Sequence, residues 1–139
     1  MHSSFPENDQ THASDAATGV ELWPNSALKT LAAKWPGMRS RWIIPPPAEG
    51  GVSTFALAEW ELEKAVWTDL HHHDEINVVV EGELSVTVGG ETVVARPGDT
   101  VRVAAGQLGR YSAPKYARMV AVYGRGSGKP DECFAYEPL

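Results

Sequence analysis

Cysteine is nearly missing from this chain. Cys133 is the single one among 139 residues, so no intramolecular disulfide can staple the fold, and stability must come from a packed core. Positive charge is also scarce: 12 Lys and Arg stand against 18 Asp and Glu, a formal net charge of −6. That balance leaves no basic footprint for nucleic acid or an anionic membrane, and neither is expected as a partner. No window approaches the roughly 18 to 20 apolar residues that a membrane-spanning helix needs. The N-terminus has neither the basic segment nor the apolar run of a secretion signal, and the expected setting is the cytoplasm.

What is present is unevenly distributed. Residues 1–19 contain almost no large apolar side chain and read as a mobile tail that carries His2 and His12. Residues 20–49 read as an N-terminal extension. Within it the segment 25–35 (NSALKTLAAKW) predicts a short helix, with Asn25 or Ser26 as N-cap and Pro36-Gly37 as the stop. All five tryptophans (Trp23, Trp35, Trp42, Trp60 and Trp67) precede residue 70, which points to aromatic surface packed over the rest of the fold or across an interface.

From Arg39 onward the pattern is one of short strands, with Pro45-Pro46-Pro47 as the first turn signal. Turn signals recur at Gly50-Gly51, Gly82, Gly89-Gly90, Pro97-Gly98, Gly106 and Gly109, a spacing that indicates an all-β sandwich or barrel. Leu84, Val86 and Val88 alternate with polar neighbours, as do Val101 and Val103, so these strands have one wet face. The run Ile76–Val80 is more continuously apolar and predicts a strand covered on both faces.

The most informative residues are His71, His72 and His73, followed by Asp74 and Glu75 at the entrance to that strand. In an extended chain residues two apart share a face, so His71, His73 and Glu75 project together while His72 and Asp74 point away. Two imidazoles and a carboxylate suit a divalent metal of the Zn, Fe, Ni, Mn or Cu group. A histidine cluster that only caps a strand and bonds backbone is the plain alternative. By the same parity Asn77 faces inward with Glu75, and a buried amide there must find partners.

The stretch HHHDEINVVVEG, continued as ELSVTVGGETVVARPGDTVRVAAG through Gly106, resembles the two-motif core of the cupins, small jelly-roll barrels. The resemblance rests on Glu75 standing seven residues before Gly82, on Pro97-Gly98-Asp99, and on Ala104-Ala105-Gly106. It implies an all-β cupin-type double-stranded β-helix over residues 50–139, preceded by the extension with its short helix. It also implies a metal site. Metal-binding cupins present His-x-His, three or four residues, then Glu, which here sets Asp69 and His71 against Glu75, or His71 and His73 if the gap shrinks. The further histidine of their second motif falls at Gly109, and Tyr111, two residues on, shares its facing.

The expected metal ligands are therefore His71, Glu75, and one or both of His73 and Asp69. Tyr111 and Glu75 are the candidates for proton transfer, or Tyr111 simply fills the space over Gly109. Asn77, Arg118 and Trp60 are the candidates for contact with substrate, with Arg102 and Arg110 as further arginines. Glu59 and Glu61 either enter the barrel or lie on a solvated face. The resemblance implies a metal-dependent enzyme of isomerase, lyase, decarboxylase or dioxygenase type acting on a small organic molecule. The alternative is a metal-free module that binds a small molecule. Cupins of this size commonly pair, so a homodimer is expected. The Gly124–Lys129 stretch lacks the spacing of a phosphate loop and reads as a connection, and Cys133 reads as an inert thiol.

Overall fold

The structure is a computed structural model that describes residues 19–46 and 54–139. The tail expected over residues 1–19, with His2 and His12, lies outside the described residues except for Gly19, as do residues 47–53 where the extension was expected to meet the barrel. Among the described residues eleven strands are formed: β1 (Lys29–Thr30), β2 (Met38–Ile44), β3 (Ala56–Leu62), β4 (Ala65–Leu70), β5 (His73–Gly82), β6 (Leu84–Val88), β7 (Glu91–Ala95), β8 (Thr100–Val103), β9 (Leu108–Ala113), β10 (Ala117–Gly126) and β11 (Glu132–Pro138). They build two antiparallel sheets, one in the order β1-β2-β3-β10-β5-β8 and one in the order β11-β4-β9-β6-β7. Between them lies a core that includes Met38, Trp60, Leu62, Trp67, Leu84, Val79 and Met119. The all-β jelly roll expected from the sequence is what forms.

The turns follow from their residues. Asp99 N donates to the Arg96 carbonyl at 2.8 Å while Gly98 takes φ +93°, the positive value that the third position of a type II turn requires. Gly82 at φ +77° reverses β5 into β6, and the Tyr116 carbonyl presses where its side chain would stand, so any other residue clashes there.

Two expectations fail. Among the described residues no helix forms: the segment 25–35 instead contributes β1, paired as Lys29 with Ser40 and Thr30 with Arg39, then tight turns closed by Trp35 N to Ala32 O and Met38 N to Trp35 O. Its helix-forming residues are overruled by packing, because these turns set Trp35 edge-on to Trp67 with ring centroids 4.7 Å apart. The run Ile76–Val80 is buried on one face only. Asn77 and Val79 are enclosed, Ile76 and Val78 are half-buried, and Val80 is exposed. The tryptophans turn inward, with Trp42 against Tyr123 and Trp60 against Tyr111 as further edge-on pairs. Trp42, Trp60 and Trp67 are thus buried within the chain.

Candidate metal centre

Inward-facing positions of β4 carry Trp67 and Asp69, and the indole Nε1 of Trp67 donates to Asp69 Oδ2 at 2.7 Å. The chain then crosses from one sheet to the other through His71 and His72 before β5 begins. That crossing puts the His71 ring between the sheets. Its backbone is held by Gly106 N donating to the His71 carbonyl at 2.9 Å. On β5 the inward positions are His73, Glu75, Asn77 and Val79, all buried.

His71 Nε2 lies 3.0 Å from Asp69 Oδ2 and 2.6 Å from Glu75 Oε1, and its Nδ1 lies 2.7 Å from Asp131 Oδ1. These contacts are close in distance yet poorly aligned: Glu75 Oε1, Asp69 Oδ1 and His71 Nδ1 are buried without a hydrogen bond of acceptable angle. We therefore treat them as ion-pair contacts set by distance. Glu75 is aimed by its neighbours. Asn77 Nδ2 donates to Glu75 Oε2 at 2.6 Å, and Asn77 Oδ1 accepts from Trp60 Nε1 at 2.8 Å. The amide at 77 is thus an orienting group, and Trp60 acts through it.

Of the sequence-predicted ligands, Asp69, His71 and Glu75 come together, while His73 turns to the other side of the His71 ring. There its Nε2 meets Asp131 Oδ1 at 3.3 Å and its ring packs edge-on against Tyr123. Parity over 71, 73 and 75 misleads because His71 precedes the strand. Asp131 was invisible to sequence reasoning. It follows the glycine-rich connection and arrives because β11 pairs with β4, Glu132 opposite Leu70 and Cys133 opposite Asp69. The one hint in the sequence is an isolated Pro130-Asp131 after that connection. His72 faces outward, as expected, and contacts Glu132 at 2.8 Å.

Tyr111 sits on β9, opposite Trp67 of β4, and its phenol covers Gly109. A Cβ built at 109 would lie 2.9 Å from the Tyr111 ring, so the tyrosine fills the space a side chain there would need. Its hydroxyl is buried with no aligned hydrogen-bond partner. Arg118 does not reach the interior. It projects from the outer face of β10 and pairs with Glu59 at 2.7 Å and Glu81 at 3.3 Å, which removes it from the substrate contacts. Glu59 and Glu61 lie on that same outer face, and Arg102 is taken by Asp74. Arg110 is exposed.

The electrostatics follow from enclosure. Burial alone would lower the His71 pKa, but Glu75, Asp69 and Asp131 outweigh it and hold the imidazole well above its ordinary value. Burial opposes ionisation of Glu75 and Asp131, and the histidines prevail, so both are lowered. Asp69 is raised, chiefly by burial. Burial, with the carboxylates nearby, holds the Tyr111 phenol well above its ordinary value, so it keeps its proton. Cys133 is pushed up to about 11 by burial and by Asp69, which leaves an unreactive thiol.

The pocket at this point is lined by Asp69, His71 and Glu75 with Met38, Trp60, Trp67 and Tyr123, and it admits about one water-sized sphere. Donor atoms of Asp69, His71 and Glu75 lie within 4.8 Å of one another. One imidazole and two carboxylates, with carboxylate oxygens lacking a donor, fit a divalent ion.

Residues 58–123, spanning β3 to β10, match the family model described as the cupin domain. Over that span the barrel is similar to the cupin domain. Solved structures with the same fold include a putative ethanolamine utilization protein Q from Salmonella typhimurium LT2, at 22% identity and TM-score 0.68 over 87% of this chain and 98% of that one. The EutQ protein of Clostridium difficile is similar at 20% identity and TM-score 0.56, over 65% of this chain and 64% of its own, so the chain spans just under two thirds of that relative. KdgF from Halomonas sp. matches at 19% identity and TM-score 0.55 over 72% of this chain and 87% of that one. At such identities the likeness is one of fold. No curated protein matches the chain in sequence. Against the cupin pattern its second motif is unusual, with Gly109 and the overlying Tyr111 where that pattern has a histidine. Among the described residues no helix is long and apolar enough to cross a membrane.

Proposed function

We propose that this cupin is a metal-dependent enzyme acting on a small oxygen-bearing organic substrate, with a divalent ion held by Asp69, His71 and Glu75. The observation that carries the reading is the convergence of their donor atoms in a buried pocket where carboxylate oxygens have no aligned hydrogen-bond donor. When bound, such an ion supplies Lewis acidity toward a carbonyl or hydroxyl oxygen. The chain's own groups supply the rest. Trp67 fixes Asp69, Asn77 fixes Glu75, and the Tyr111 phenol holds a proton at the pocket. Trp60, Met38 and Tyr123 give the pocket its apolar and aromatic wall. The pocket's small size means that an oxygen-bearing end of the substrate enters, and that side chains part to admit more.

A second reading has its own support. His71, raised well above its ordinary value by carboxylates on both sides, gives the cluster a cation of its own without a metal, which suits a metal-free cupin that binds a small molecule. Metal analysis of purified protein, with thermal melts after adding Mn, Fe(II), Ni or Zn, separates the two. The enzyme reading expects near-stoichiometric metal, lost in Asp69→Asn with Glu75→Gln. An ion at 100 times its Kd should add about 2.7 kcal/mol of stability, a rise of several degrees in Tm. Metal-free protein whose Tm ignores all four ions would sink it.

A further inference from the structure

On the far side of the His71 ring a second group of donors converges. Asp131 Oδ1 lies 2.7 Å from His71 Nδ1 and 3.3 Å from His73 Nε2, and all three residues are at least 95% buried. His73 Nδ1 contacts the Asp74 carbonyl at 3.1 Å. A carbonyl only accepts, so this contact places a proton on Nδ1; in the imidazolium Nε2 then donates to Asp131, and in the neutral ring its lone pair faces that carboxylate. A ring nitrogen with a free lone pair and a carboxylate oxygen are both acceptors, and what satisfies two facing acceptors is a proton or a cation between them. A backbone carbonyl that fixes the tautomer from behind is the usual companion of a metal-ligating imidazole. His71 Nδ1, buried without an aligned partner, points into the same space.

We propose that His71 Nδ1, His73 Nε2 and Asp131 Oδ1 form a second cation site, distinct from the pocket trio, that takes a zinc- or nickel-class ion. Two imidazoles and one carboxylate make a softer set than the one imidazole and two carboxylates of the pocket, and imidazole suits Zn, Ni and Cu where carboxylate suits Mn. Both sites use His71, through opposite nitrogens. A neutral imidazole has one lone pair, so one chain holds one ion, placed according to its kind. This exclusion rests on the pocket reading above; the second site itself does not. Asp131 reaches it only through the pairing of β11 with β4, so the C-terminal strand would be part of the metal chemistry.

The test uses the full chain, titrated separately with Zn²⁺ and Mn²⁺ alone. Ring ¹⁵N spectra, with each histidine assigned by its own His→Gln variant, report the occupied nitrogens in the wild type. We expect Zn²⁺ to move His71 Nδ1 and His73 Nε2, one ion per chain, and to bind at least 10-fold more weakly to Asp131→Asn and His73→Gln. Mn²⁺ affinity should change less in His73→Gln than in Glu75→Gln. Circular dichroism confirms that each variant folds, and if one does not, the wild-type spectra decide. Zn²⁺ that moves only His71 Nε2, or that binds both variants as it binds the wild type, overturns the second site and leaves the pocket reading standing. Zn²⁺ at His71 Nδ1 and His73 Nε2 with no Mn²⁺ uptake supports the second site and removes the pocket trio. Absence of all binding overturns both.

Discussion

The two faces of the six-stranded sheet carry the same kinds of side chain to opposite ends. On the outer face Arg41 and Arg118 both contact Glu59 at 2.7 Å, Arg118 extends to Glu81, and Arg39 pairs with Glu61 and Glu63. Three arginines there meet four glutamates, and water reaches them. On the inner side and in the crossing before it, Glu75, His71 and His73 share an enclosed space with Asp69 and Asp131, three carboxylates to two imidazoles. Outer pairs of this kind are worth about 0 to 1 kcal/mol each. Inner ones cost several kcal/mol per ion to desolvate and persist only where the partners are complete. Charge is used as ordinary surface chemistry outside. Inside it is retained against its own cost, which is the mark of a site.

The comparison breaks or sharpens most at His71. His71→Ala leaves three buried carboxylates short of their shared cation, and we expect a loss of about 3–5 kcal/mol in urea unfolding, together with loss of metal uptake. A loss under about 1 kcal/mol would mean that the inner cluster is no more demanding than the outer one. Asn77→Ala strands Trp60 Nε1 and Glu75 Oε2, which should cost about 1–3 kcal/mol. Because the amide aims Glu75, it should also weaken metal binding about 10- to 100-fold, read by calorimetry; a stability loss with unchanged affinity would confine Asn77 to the core.

The pH response of metal-free protein tests the same contrast. His71, raised from 6.5, contributes stability that is full below that value and is lost as pH climbs through its folded pKa. Glu75 and Asp131, lowered from 4.5 and 3.8, contribute stability present above those values and lost as pH falls through their folded ones. Asp69, raised from 3.8, works against them by giving up stability as pH rises past that value. Urea midpoints taken across pH should therefore peak between the carboxylate values and 6.5, with a decline on the alkaline side that His71→Gln abolishes. A midpoint flat from pH 6 to 9 would contradict the charged imidazole. The smallest effect belongs to Arg118→Ala on the outer face. It should cost under about 1 kcal/mol, less in 1 M salt, and leave metal binding unchanged.

Much of the barrel was legible because its cues are local. Alternation in Leu84–Val88 and the Pro97-Gly98 turn depend on neighbours a few residues away, and both appear as read. The helix over 25–35 was misread because its residues favour helix in isolation, while Trp35 is captured by Trp67 from a distant strand. At the site, His71 and Glu75 could be marked by register against Gly82, and Asn77 by parity. Arg118 was misplaced because a strand arginine gives no sign of which face its neighbours have already charged.

By itself the sequence determined that the barrel is all-β, where its turns fall, and that the entrance to β5 bears imidazoles and a carboxylate. These are properties of short stretches. Only the tertiary structure set Asp69 beside His71 and Glu75 and His73 on the other side of the His71 ring, because that placement depends on a crossing between sheets that interrupts the alternation of the strand. Only the pairing of β11 with β4 could bring in Asp131, 58 residues from His73 along the chain.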